Sequence, residues 1–167
     1  MHEVLKDTFA FCRSQAVWNT TGDYCYAFLD LPKSNRDGAL DACAQLGGSL
    51  AAYPTIRDFR VGADFLSASA GYVGYIWVNA IQDMSGLANP GTADGWFWLM
   101  PDGSRIPVPD FVWSSGEPND CGPTCGVEDG AEQEGALEYS AEGLGDGFLI
   151  DLSAGWARGK AICMYPS

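Results

Sequence analysis

Six cysteines, at positions 12, 25, 43, 121, 125 and 163, constrain this chain of 167 residues more than any other feature. Their number is even, and none of their spacings is the paired C-x-x-C of a zinc ribbon. The single histidine, His2, adds little to a metal site of that kind. Three disulfides are the expected use, and disulfides persist in oxidising compartments. The expected setting is extracellular: a secreted protein whose signal peptide is not among these residues, because the acidic start Met1-His2-Glu3-Val4-Leu5-Lys6-Asp7 does not provide one. Sequence alone does not choose among the possible pairings, although Cys121-Gly-Pro-Thr-Cys125 is compact enough to close a local loop. Asn19-Thr20-Thr21 fits a glycosylation sequon, which is compatible with secretion.

With 47% hydrophobic and 13% aromatic residues the chain can bury a core, and a single domain over residues 1–167 is expected, with 1–11 as an N-terminal extension. Nine basic against twenty-two acidic residues leave a formal charge of −13, which repels phosphate backbones and anionic lipids. Nucleic acid is excluded as a partner on that ground. Membrane insertion is excluded because the longest apolar run, residues 72–81, falls well short of the roughly 20 residues a spanning helix needs.

Residues 24–29 read as a strand, Asp37 as the cap of a helix over 38–46 that Gly47-Gly48 stops, and Thr55 as the cap of a second helix reaching about Ser69. Strands are predicted at 75–80, 96–99, 111–113 and 161–165. The order is α+β. Residues 82–95 and 114–147 are rich in Gly, Pro, Asn, Asp and Glu without periodicity, so 82–147 reads as a long-loop region.

Between Arg105 and Arg158 there is no lysine, arginine or histidine, yet eleven acids fall there. Crowded carboxylates repel one another, and a hard divalent cation taking six to eight oxygens neutralises and orders them, so Ca²⁺ is the expected cofactor. A solvated acidic loop is the alternative. No base is available to activate a Ser, Thr or Cys nucleophile outside the tail at His2, so no catalytic residue is assigned and a binding protein, not an enzyme, is expected.

The order of motifs resembles the long form of the C-type lectin-like domain from Cys12 to Tyr165. The resemblance rests on Cys25-Tyr26-Ala27-Phe28, on residues 39–51 around Cys43, on Ile76-Trp77-Val78-Asn79-Ala80, on Trp96-Phe97-Trp98 and on residues 113–120, Trp-Ser-Ser-Gly-Glu-Pro-Asn-Asp. It implies two helices flanking small antiparallel sheets, a long disulfide-stapled loop, and the pairs Cys12–Cys25 and Cys43–Cys163. The family's remaining pair would fall near Ala136 and Ala154, both alanine here, so Cys121–Cys125 is expected as a relocated staple. Trp18, Trp77, Trp96, Trp98 and Trp113 are expected in the core, with Trp156 at the core or the loop rim.

Glu117-Pro118-Asn119 resembles the family's mannose-type motif, in which a cis proline aims both flanking oxygens at one Ca²⁺. The resemblance implies Glu117, Asn119, Glu134 and Asp151 as ligands of both ion and sugar, with Glu128 the runner-up to Glu134. Carboxylate and amide read the acceptor and donor sides of a vicinal diol, so glycans with mannose-type terminal sugars and equatorial hydroxyls are the implied partners, bound by a possible homo-oligomer in recognition. Ile150 departs from the pattern: it stands where the family has an asparagine, so either a neighbour such as Asp146 substitutes or affinity falls about ten- to a hundredfold. Asp83 and Asp120 resemble part of an auxiliary Ca²⁺ site. The alternative reading keeps the fold without the sugar, as an interaction or mineral- or ice-associated protein.

Overall fold

The computed structural model describes residues 12, 14–15, 18–65, 71–87, 91–120, 134–139, 148–152 and 159–166. In chain order these form β1 (Trp18–Thr20), β2 (Tyr24–Ser34), α1 (Arg36–Gln45), β3 (Ser49–Leu50), α2 (Ile56–Phe59) continued by a π-helical stretch (Arg60–Phe65), β4 (Gly74–Gln82), β5 (Trp96–Leu99), β6 (Arg105–Pro107), a 3-10 turn (Asp110–Val112), β7 (Glu134–Tyr139), β8 (Phe148–Leu152) and β9 (Gly159–Pro166). None of the described helices is long and apolar enough to cross a membrane.

The helix ends follow side-chain capping, with one correction. Asn35, not Asp37, caps α1: its Oδ1 accepts the Gly38 N–H at 2.9 Å, and Asp37 lies in the first turn, where its charge suits the helix dipole. Thr55 caps α2 as expected, accepting the Asp58 N–H at 3.1 Å. Residues 111–113 form no strand; the backbone there turns through the 3-10 segment behind Pro109.

The described strands build one mixed sheet in the order β1-β2-β9-β4-β5-β6, with β3 on β9 and the β7–β8 hairpin on β4. The chain's last strand lies between two early ones, antiparallel to β2 and parallel to β4 through Trp77↔Ala161. Alternation then sends side chains to two buried faces. Tyr26, Phe28, Ile76, Val78, Leu137, Leu149, Ile162 and Met164 fill one core. Cys25, Ala27, Trp77, Ala136, Ile150, Ala161 and Cys163 fill the other with Cys43 of α1. Because both faces are covered, these strands read as apolar runs and not as alternating ones.

Both disulfides implied by the resemblance are present, Cys12–Cys25 and Cys43–Cys163, on the α1 face. The second closes a loop of sequence separation 120 and so removes much chain entropy from the unfolded state, on the order of 4–5 kcal/mol in the loop-entropy model. Trp77 packs at 0% exposure with its Nε1 donating to Ser34 O at 2.9 Å. Gly159 is required beside it, since a Cβ there would strike the indole ring. Trp96, Trp98 and Trp113 are likewise buried, and Trp18 is half-buried against the α1-side core. Trp156, Ala154, Cys121 and Cys125 lie outside the described residues.

The stretch 114–147, read as loop from its composition, contains β7. Its register on β8 and β4 is continuous over Glu134↔Leu152 to Glu138↔Phe148 and over Gly74↔Tyr139 to Trp77↔Ala136. Gly135 and the two glutamates hide this strand from a propensity reading. Gly135 is nonetheless required, because a Cβ there would lie 2.6 Å from that of Ala80.

Candidate functional site

The loop after the 3-10 turn is anchored at its start by Ser114 N–H on Leu149 O at 2.9 Å. It then turns tightly, with Glu117 N–H on Ser114 O at 3.0 Å and Gly116 at φ 84°, a left-handed conformation suited to glycine. The Glu117–Pro118 peptide bond is cis. On either side of the buried proline, Asn119 Nδ2 donates to Glu117 Oε1 at 2.8 Å. A carboxylate and an amide are thereby held side by side at the surface.

Beneath them lies Asp151, only 3% exposed. Its carboxylate accepts the Asn119 N–H at 3.0 and 3.1 Å on its two oxygens and the Asp120 N–H at 2.6 Å. Asp120 sits at φ 46°, so two successive N–H groups converge on one anion, the backbone concavity called a nest. A carboxylate offers about four lone-pair sites, so capacity for a further positive partner remains. The oxygens of Glu117, Asn119 and Asp151 are hard donors of the kind Ca²⁺ takes, and in that respect the residues present fit the ion.

Glu134 stands differently. It pairs with Leu152, one step beyond the Gly135↔Asp151 pair, so the pleat turns it to the opposite face of the hairpin from Asp151. On that face its charge acts on Arg36 of α1. The Arg36 guanidinium is pulled below its usual range by burial, with Glu134 and then Asp37 opposing that shift. Arg36 Nη2 donates to Asn79 Oδ1 at 2.6 Å, and Asn79 Nδ2 donates to Leu99 O at 3.0 Å. This half-buried chain ties α1 to β4 and β5, and sequence reasoning missed it because its members are 43 and 20 residues apart in sequence. Among the described residues, no three His, Cys, Asp or Glu side chains cluster as a ready cation cage.

Ile150 is 6% exposed and opposes Ala136 in the ladder, inside the α1-side core. Its side chain therefore serves packing on the face opposite Asp151. Of the two residues assigned to an auxiliary site, Asp83 forms an ion pair with Arg105 at 3.0 Å. Its carboxyl is held below the usual range first by hydrogen bonds from Ser85 and then by Arg105. Asp120 presents its backbone to Asp151. Glu128 and Asp146 lie outside the described residues.

Neither a protein-family profile nor the sequence of a curated protein matches the chain. Solved structures do. The cow C-type carbohydrate-recognition domain of CD23, determined with a GlcNAc2Man3 oligosaccharide, is 21% identical, with 91% of this chain and 95% of that one covered and a TM-score of 0.62. Human lithostathine is 15% identical over 100% of this chain and 98% of that one, at 0.65. A calcium-independent type II antifreeze protein is 19% identical over 90% and 92%, at 0.58. The two-faced mixed sheet, the two short helices, the hairpin disulfide and the bridge from α1 to the last strand, together with this coverage, give the chain the C-type lectin-like fold.

Proposed function

We propose that this chain is a secreted, non-catalytic carbohydrate-binding protein that recognises mannose-type sugars through Ca²⁺ held by Glu117, Asn119 and Asp151, while Glu134, on the other face of the hairpin, serves Arg36 instead. The observation that carries the reading is the meeting of Glu117 and Asn119 side chains across Pro118, 2.8 Å apart, above the buried Asp151. When bound, the ion supplies a Lewis-acidic anchor for two sugar hydroxyls. The chain's own part is to present an acceptor and a donor side by side, so that their order selects equatorial diols. The two disulfides and the similarity to a CD23 domain determined with an oligosaccharide support an extracellular glycan-binding role. Calorimetric titration of Ca²⁺ into chelator-stripped protein, then of mannose with galactose as control, tests this. Calcium heat followed by mannose heat is expected, and Glu117→Gln with Asn119→Asp should shift preference to galactose. Unchanged mannose binding by that double variant would sink the site assignment.

The engagement of Glu134 with Arg36, and the similarity to a calcium-independent antifreeze protein, favour a second reading as an interaction or ice- or mineral-associated protein that needs no ion. Calcium heat without sugar heat, or neither, would select it.

A further inference from the structure

Away from the Asp151 loop, a cavity of about 280 Å³ opens between α2 and the segment 107–112. Its lining includes Tyr53, Phe59 and Trp98, with Tyr53 edge-to-face to both neighbours at centroid distances of 5.5 and 5.1 Å. Pro107 and Pro109 form a wall, rigid and without N–H donors. On the rim stand Ile56 at 50% and Phe111 at 52% exposure, two of the four large hydrophobics that the described surface leaves exposed. Their convergence on one cavity from different segments sets it apart from scattered apolar exposure.

The two hydroxyls of the lining are already engaged. Tyr53 OH donates to Gly62 O at 2.9 Å, and Thr55 Oγ1 donates to Asp58 Oδ2 at 2.5 Å. No charged side chain lines the cavity, in a chain of net charge −13. Among the exposed charged neighbours of the lining residues in sequence, two arginines stand against one acid. Ile56 and Phe59 share their segment with Arg57 and Arg60, both exposed and in no ion pair among the described residues. The acid between them, Asp58, is buried and committed to Thr21, Tyr26 and Thr55, while Asp110 stands exposed on the Phe111 side.

We propose that this cavity binds small amphiphilic acids, with an aromatic or aliphatic body in the slot and the anionic group toward Arg57 and Arg60. The volume suits a body somewhat larger than benzene, for which a dry cavity of roughly 150 Å³ suffices. A mostly apolar lining whose hydroxyls are engaged favours an apolar body, and the arginines set the sign of the head group. The site is separate from Glu117 and Asn119 and needs no ion.

The test is saturation-transfer NMR on the intact, chelator-treated protein with 4-phenylbutyrate, against 4-phenylbutylamine, which has the same body and the opposite charge. Saturable phenylbutyrate binding is expected, with the amine weaker by about fivefold, as exposed charge pairs allow. Phe111→Ser, and separately Ile56→Ser, should each weaken the acid by about tenfold. Arg57→Gln with Arg60→Gln should make acid and amine equal. Both rim residues are half exposed, so their variants keep the fold, which near-UV circular dichroism checks. Absence of saturable binding up to about 10 mM, equal binding of acid and amine to the parent protein, or indifference to both rim variants would overturn the proposal.

Discussion

The buried carboxylate of Asp151 holds the backbone N–H of Asn119 at 3.0 and 3.1 Å on its two oxygens, so one side chain of β8 fixes the loop that displays Glu117 and Asn119. The Asp120 N–H completes the same acceptor. The strand therefore positions the loop by direct contact.

Asp151→Asn keeps the volume but replaces an acceptor-only group with one that presents a donor to two N–H groups. Hydrogen bonds to a charged acceptor contribute about 1.5–3 kcal/mol, so the variant is expected to lose about that much stability in chelator. Urea unfolding of both proteins without calcium measures it. An unchanged midpoint would mean that the loop is held by other contacts.

Asn79 is 6% exposed, with Arg36 Nη2 on one end of its amide and Leu99 O on the other. Asn79→Leu matches its size and strips a half-buried guanidinium and a carbonyl of a partner at once. A loss of about 1.5–3 kcal/mol is expected, the range for removing a hydrogen-bond partner from a charged group. Exposed substitutions such as Asp102→Asn should stay within about 0.5 kcal/mol in the same thermal melts, and a comparable shift for both would remove the network argument.

Tyr26 gives an alkaline limit. Its hydroxyl donates to Ala52 O at 3.0 Å, and burial, followed by the charge of Asp58, raises its ionisation far above the usual range. Burial also pushes the Tyr165 phenol up to about 12. An unfolded tyrosine ionises near pH 10. A raised folded value means that stability is fully present below about pH 10 and is lost as pH climbs past it, because the unfolded chain releases protons that the folded one retains. Denaturant midpoints should hold from pH 8 to about 9.5 and fall towards pH 12, with tyrosinate absorbance rising together with unfolding. Complete tyrosine ionisation in a still-folded protein would contradict this.

The two disulfides, the bounds of β5 and the Thr55 cap were legible because each depends on residues close in sequence or on a motif order that carries pairing with it. Glu117 and Asn119 were legible for the same reason, being two residues apart. The strand β7 was not. Its identity comes from pairing with β4 and β8, and Glu134, Gly135 and Glu138 weaken any local strand signal. Glu134 was read from its distance to a missing cysteine, which fixes neither the pleat nor its side; the ladder turns it towards Arg36. The cavity lined by Tyr53, Phe59 and Trp98 draws on three separate segments that no local pattern joins.

Ile150 decides how far motif resemblance can be trusted at the site. Placed in an asparagine's position, it invites the repair Ile150→Asn to restore a missing ligand. Yet its side chain opposes Ala136 and packs in the core that holds Trp77 and Cys43. An amide there would be buried among apolar groups, at a cost of about 2–4 kcal/mol from lost packing and unpaired polar atoms. The variant is therefore expected to melt several degrees lower and to gain no calcium affinity by calorimetry. Because Asp151 alternates to the other face, a polar residue at 150 has no path to the ion without breaking the β7–β8 register. A gain of tenfold or more in calcium affinity would show that the hairpin shifts to admit it, and the assignment of Ile150 to packing would fall.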